Sequence, residues 1–332
     1  MPERPSVLVT RTVPEPVLER LRERCEVDVY ESGWAIPREE LLRRVAGRDG
    51  LLALLTERVD AELLDAAGPR LRIVANYAVG YDNVDVEECT RRGVLVSNTP
   101  DVLTETTADL AWALILAAAR RVAEGDRFLR SRRRWIWGPL MMLGQDVHGK
   151  VLGVVGFGRI GRAVARRAAG FGMRVRYHSR TRAPEEVERE LGAERRSLEE
   201  LLAEADVVSL HCALTPETHH LIGAEELRMM KPTAILVNTA RGPVVDEAAL
   251  AEALARGEIL AAGLDVFERE PEVHPRLLEL DNVVLVPHLG SATVETRVAM
   301  GMVAVDNLLA AFEGRRPPTL VNPEAWDRAH RG

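Results

Sequence analysis

An apolar run, Val151-Leu-Gly-Val-Val155, passes directly into Gly156-Phe-Gly158-Arg-Ile-Gly161, and a helical pattern follows over about 162–169. Few short segments constrain a fold as tightly. A strand must end in a turn too tight for a side chain at Gly156. The backbone must be bare at Gly158, and a helix must pack closely on the strand at Gly161. That helix begins with N–H groups that have no intrahelical acceptor and with the positive end of its dipole, a combination suited to an anion. A glycine turn in an ordinary strand–helix–strand unit is the plainer reading. The strand before and the helix after favour a pyrophosphate cradle for a dinucleotide.

The rest of the chain has the alternation that such a unit needs. Strand-like runs at 6–10, 27–30, 50–55, 71–76 and 94–98 alternate with helical patterns at 16–24, 38–45 and 60–67. A long apolar helical stretch at 103–123 follows Asn98-Thr-Pro100, and then comes a basic loop at 130–144 that carries Trp135 and Trp137. A second series of strands is expected at 151–155, 174–177, 207–211, 234–238, 259–265 and 283–286, before a last long helix at 294–312 and a Pro-rich tail. Such alternation predicts an α/β fold of doubly wound parallel sheets. The length of 332 residues suits two domains. The simplest arrangement inserts the second series into the first, with the helices at 103–123 and 294–312 as crossing points.

Composition narrows the function classes. With 44 Lys and Arg against 51 Asp and Glu, the net charge of −7 argues against nucleic acid or an anionic membrane as partner. Cys25, Cys89 and Cys212 are isolated, so neither a disulfide framework nor a metal site is expected. The longest apolar stretch, 110–119, is too short to span a bilayer, and the N-terminus lacks a signal-peptide pattern. A cytoplasmic protein is the expectation.

The strand at 174–177 bears on which dinucleotide is bound. An acidic residue about 20 positions after the first glycine would bind a ribose 2′-hydroxyl. Here the chain reads His178-Ser-Arg-Thr-Arg182, with no carboxylate before Glu185. Ser179 takes the acidic place, and Arg180 and Arg182 offer guanidinium groups to a 2′-phosphate. NADP(H) is therefore expected over NAD(H), the bland alternative being a solvated basic loop.

Three later strands end in groups with complementary chemistry: Arg241 in Leu236-Val-Asn-Thr-Ala-Arg-Gly242, Asp265 with Glu268 and Glu270 behind it, and His288 in Val284-Leu-Val-Pro-His-Leu-Gly290. Ligands of open α/β sheets bind beyond the carboxyl ends of strands. Hydride transfer to a carbonyl builds negative charge on its oxygen. A histidine can protonate that oxygen while a glutamate holds the ring. An arginine can clamp a carboxylate and polarise the carbonyl. Singly, each residue is more often a satisfied loop or surface group; together at successive strand ends they point to one site.

These segments, with Asn238-Thr-Ala-Arg-Gly-Pro-Val-Val-Asp246, Gly263-Leu-Asp-Val-Phe-Glu-Arg-Glu-Pro271 and Pro287-His-Leu-Gly-Ser-Ala292, resemble the D-isomer-specific 2-hydroxyacid dehydrogenase family over nearly the whole chain. The stretches at 139–144, 178–182 and 317–323 are similar to its glyoxylate reductase and hydroxypyruvate reductase branch. The resemblance implies two Rossmann-like domains, a substrate domain of 1–99 with 290–332 and a dinucleotide domain of 100–289. It implies reduction of a small 2-oxoacid, with Arg241 binding substrate, His288 as general acid–base and Glu270 as its partner. Glu268 is a neighbouring rival for that last role. Substrate contacts are implied for the Val79 and Gly80 backbone, and for Arg241 and His288. Cofactor contacts are implied for Thr107, for Gly156, Gly158, Arg159, Ile160 and Gly161, for Thr239 and Ala240, and for Asp265, His288 and Gly290. A homodimer is also implied, with the Trp135–Trp137 loop reaching the second copy. A dinucleotide-sensing corepressor on the same fold is the alternative from another class.

Overall fold

Short runs dominated by Val, Leu, Ile and Ala become strands because both faces of a parallel sheet are covered. The computed structural model describes residues 4–329. It forms two units, one of residues 1–103 with 293–332 and one of residues 104–292.

In the first unit, β1 (Ser6–Val9), β2 (Glu26–Val29), β3 (Gly50–Ala53), β4 (Ile73–Asn76) and β5 (Leu95–Ser97) form a sheet in the order β2-β1-β3-β4-β5, with every pairing parallel. β1, β3 and β4 lie inside the sheet and are almost wholly buried, whereas the edge strand β2 is not. Leu8, Leu51 and Val74 pack with Leu41, Leu63 and Leu64 of the covering helices. Each such side chain contributes roughly 1.5–3 kcal/mol by leaving water.

The second unit carries seven parallel strands: β6 (Val151–Val155), β7 (Arg174–His178), β8 (Ala193–Arg195), β9 (Val207–Leu210), β10 (Ile235–Asn238), β11 (Ala261–Leu264) and β12 (Val283–Leu285). Their order is β12-β11-β10-β9-β6-β7-β8, so the winding reverses between β6 and β9, where open sheets hold their ligands. The helix Thr104–Ala119 is apolar nearly all round and lies against this sheet, with Leu114 over Gly263. Trp112 stacks on Phe171 at 4.5 Å and donates its indole N–H to the Val164 carbonyl. Leu201, Leu227, Leu250 and Leu254 fill a second core cluster with Leu236 and Leu264 of the sheet.

Three local differences from the sequence reading have physical causes. The helix expected at 103–123 is two helices, Thr104–Ala119 and Val122–Arg130. They break at Arg121, whose φ of 54° lies in the left-handed region and whose guanidinium is held by both oxygens of Glu124. β8 has no apolar alternation to reveal it, since two of its three residues are exposed. The tail continues into a helix, Pro323–Ala329, started by the proline at its first position. No helix among the described residues is long and apolar enough to cross a membrane.

Candidate active site and dinucleotide cradle

Gly156 leaves β6 at a φ of 92°, and a Cβ there would stand 2.4 Å from the Cys212 backbone nitrogen. Only glycine meets both conditions. At Gly161 a Cβ would stand 2.1 Å from the Gly156 carbonyl oxygen, so this close approach of helix to turn also excludes a side chain. Gly158 differs: a Cβ would meet nothing within 4 Å, so the backbone faces open space. It caps the helix Arg159–Ala168 without any side-chain hydrogen bond, and Arg159 and Ile160 form the first turn. A bare cradle at an uncapped N-terminus of a ten-residue helix fits a pyrophosphate.

The loop after β7 holds the expected ribose-side groups. Ser179 is half-buried, and Arg180 and Arg182 are exposed. Two residues not anticipated from sequence shape this loop. Arg195, in β8, donates to the Ser179 and Arg180 carbonyls at 3.0 and 3.2 Å. Glu188 takes Arg182 at 2.9 Å and the Tyr177 hydroxyl at 2.5 Å. Those two hydrogen bonds hold the Glu188 carboxyl below its usual range. The absence of a carboxylate near Ser179 in sequence therefore does not leave Arg182 without an acidic neighbour in space.

Beyond β10, the Asn238 side chain makes the turn. Its Oδ1 accepts from the Ala240 N–H at 3.0 Å and its Nδ2 donates to the Arg241 carbonyl at 2.9 Å. Thr239 is buried, with Oγ1 3.4 Å from His211 Nδ1. Burial pushes His211 far below the usual imidazole range, so the ring is neutral. Neither His211 nor Asn238 is singled out by the sequence, because each holds a neighbouring group, the Thr239 hydroxyl or the Arg241 turn, and such a partner is set by the fold.

His288 follows β12 at a φ of 55°, and its Nδ1 lies 2.8 Å from Glu270 Oε2. The other oxygen of Glu270 accepts the Phe267 N–H at 3.1 Å. Burial pushes the Glu270 carboxyl up, but the hydrogen bond and charge of His288, the Phe267 N–H and the charge of Arg241 outweigh it. The net shift is downward, so Glu270 is a carboxylate at neutral pH. Glu268 points elsewhere, to His220 Nε2 at 2.6 Å.

Asp265, buried at the end of β11, accepts from the Leu289 and Gly290 N–H groups at 2.5 and 2.8 Å and thereby shapes the His288 loop. Burial is the main reason its carboxyl is pushed up to about 6, against the opposing pull of those N–H groups and of His288. A Cβ on Gly290 would be 3.2 Å from this carboxylate and 3.5 Å from Thr107, which places Thr107, Asp265 and Gly290 together. In the first unit, Asn98 donates to the Val79 carbonyl and Asn76 to the Gly80 carbonyl, both at 2.8 Å.

Comparison with known proteins agrees with this architecture. Residues 112–290 match the family model described as "D-isomer specific 2-hydroxyacid dehydrogenase, NAD binding domain". The chain belongs to the D-isomer-specific 2-hydroxyacid dehydrogenase family. Within that family it is 58% identical over 325 residues to the glyoxylate reductase of Thermococcus onnurineus (strain NA1), covering 97% of each. The crystal structure of a glyoxylate reductase from Paecilomyes thermophila is 35% identical with a TM-score of 0.86, covering 98% of this chain and 100% of that one. The NADPH-dependent glyoxylate/hydroxypyruvate reductase of Sinorhizobium meliloti, solved with NADP and malonate, is 38% identical with a TM-score of 0.83, covering 97% and 98%. Its place among D-2-hydroxyacid dehydrogenases gives this chain a nicotinamide dinucleotide cofactor.

Proposed function

We propose that this chain reduces a small 2-oxoacid, glyoxylate or hydroxypyruvate, to the 2-hydroxy acid, with NADP(H) preferred over NAD(H). The observation that carries this reading is the His288–Glu270 pair at 2.8 Å. It stands on the sheet whose inner strand β6 ends in the glycine cradle, and the Arg241 charge acts on Glu270.

His288 Nδ1 is engaged by an ionised carboxylate, so Nδ1 carries a proton and Nε2 is the atom that faces substrate chemistry. In reduction, Nε2–H passes its proton to the oxygen that gains charge; in oxidation, neutral Nε2 removes it. Glu270 keeps the ring oriented through its 2.8 Å hydrogen bond to Nδ1. Arg241 polarises the carbonyl and clamps the substrate carboxylate. The Val79 and Gly80 N–H groups donate to a carboxylate, their carbonyls being taken by Asn98 and Asn76. When bound, the nicotinamide dinucleotide supplies the hydride. Gly156, Gly158, Gly161 and the first turn at Arg159 and Ile160 hold its pyrophosphate. Thr107, Thr239, Ala240, Asp265 and Gly290 line its path, and Ser179, Arg180 and Arg182 receive a 2′-phosphate.

A homodimer is part of the same reading. Trp135, Ile136, Trp137 and Leu140 are 57–87% exposed on a segment without helix or strand, and a second copy would cover them. The deciding experiment is a steady-state screen of 2-oxoacids with NADPH and NADH in parallel. Turnover of glyoxylate or hydroxypyruvate is expected, and its absence with every 2-oxoacid overturns the reading.

A further inference from the structure

Glu247 is buried, only 5% exposed, at the start of the helix Glu247–Arg256, and the chemistry above makes no use of it. A buried carboxyl needs hydrogen bonds. Glu247 Oε1 accepts the Glu268 N–H at 2.5 Å, and the Glu247 N–H in turn lies 3.3 Å from Glu268 Oε1. The same Glu268 oxygen takes His220 Nε2 at 2.6 Å. The two glutamates thus close a reciprocal pair, and His220 secures its outer side.

Each member is tied to the segments that carry the acid–base chemistry. Glu268 lies two residues before Glu270, and the N–H of Phe267, the residue just before Glu268, is the one that Glu270 accepts. Gly242, next to Arg241, packs so directly on this stretch that a Cβ would stand 1.9 Å from the Phe267 carbonyl carbon. The His220 N–H donates to the Pro243 carbonyl at 2.7 Å. Backbone from three segments therefore meets at one point, with the Arg241 turn on one side and the Glu270 loop on the other. The titratable groups facing Glu247 are Glu268 and His274, and burial is the main cause that pushes its carboxyl up.

We propose that Glu247, Glu268 and His220 form a latch that sets the Glu270 loop against the Arg241 turn, making them positioning residues for the acid–base pair. The inference rests on the assignment of Glu270 as the partner of His288. Misplacing a reacting group by about 1 Å costs roughly 100-fold in rate, so a loosened loop is read in kcat rather than in cofactor binding.

The test measures kcat and KM for glyoxylate and the Kd of NADPH in the full chain. Glu247→Ala is expected to lower kcat several-fold, no more than Glu270→Gln itself does, with the Kd of NADPH unchanged. Glu247→Gln, which keeps an acceptor for the Glu268 N–H, is expected to restore most of that loss. In a Glu270→Gln background, Glu247→Ala is expected to cost little more, because both act through one group. His220→Asn, at an exposed position whose φ of 50° asparagine adopts readily, reads the same latch should Glu247→Ala fail to fold. Its kcat is expected to fall, again not additively with Glu270→Gln. A normal kcat in folded Glu247→Ala, or in His220→Asn when the former does not fold, overturns the latch, as does a loss fully additive with Glu270→Gln. If Glu270→Gln itself leaves kcat unchanged, the assignment of Glu270 fails first and takes this inference with it.

Discussion

Replacing Glu270 by glutamine keeps the size and one acceptor but removes the charge facing His288. The bond at issue is short, 2.8 Å, and both side chains are about 70% shielded from water, at 26% and 30% exposure. A hydrogen bond to a charged group is worth about 1.5–3 kcal/mol, against about 1 kcal/mol for a neutral one. The residual exposure favours the lower half of that range. The difference of about 0.5–1.3 kcal/mol corresponds to a roughly two- to eight-fold loss of kcat/KM, since each ~1.4 kcal/mol is ten-fold. Glu270→Ala also strands the Phe267 N–H, and a loss nearer 100-fold is expected at an added ~1–2 kcal/mol. His288→Ala removes the proton donor itself, which typically costs about 10²–10⁴-fold. The assay is NADPH oxidation with glyoxylate, read as a double-mutant cycle. If Glu270 acts through His288, Glu270→Gln costs almost nothing once His288 is alanine. Full additivity, or a larger loss from Glu268→Gln than from Glu270→Gln acting through His288, refutes the pairing as the source of the effect.

Stability should carry opposite pH signatures at the two ends of the His288 loop. Asp265 is raised from 3.8 to about 6, so relative to Asp265→Asn the native protein loses stability as pH rises across that window. Glu270 is lowered from 4.5, so relative to Glu270→Gln the native protein loses stability as pH falls below that value; denaturant midpoints across pH 3–7 check both signs. For the cofactor, Ser179→Asp with Arg180→Ala should move the kcat/KM ratio of NADPH over NADH toward NADH by about ten-fold or more, because charge-assisted contacts are worth ~1.5–3 kcal/mol each. A higher kcat/KM with NADH in the unmutated protein refutes the phosphate-binding loop. Arg241→Lys keeps a charge but loses the two-pronged geometry; KM for the 2-oxoacid should rise while the Kd of NADPH holds, and an unchanged KM in Arg241→Ala removes Arg241 from the substrate site.

Much of this was legible in the sequence because local rules operate there. The strand alternation, the glycine spacing 156–158–161 and the run of chemical groups at strand ends each follow from backbone geometry over a few residues. The same holds for the α/β fold class, since apolar runs of four or five residues that alternate with helical patterns suit a parallel sheet covered on both faces. Tertiary structure decided matters that depend on residues distant in the chain. Glu268 and Glu270 are indistinguishable by composition, and only the folded loop sends one to His220 and the other to His288. Asp265 reads as a strand-end acid, yet its carboxylate is spent on the Leu289 and Gly290 N–H groups 24 and 25 residues away. Arg182 reads as a free cation until Glu188, six residues on, folds back onto it. The physical reason is common to all three. A side chain's charge and size are properties of the sequence, but its hydrogen-bond partner is chosen by burial and by whichever backbone group the fold leaves unsatisfied nearby.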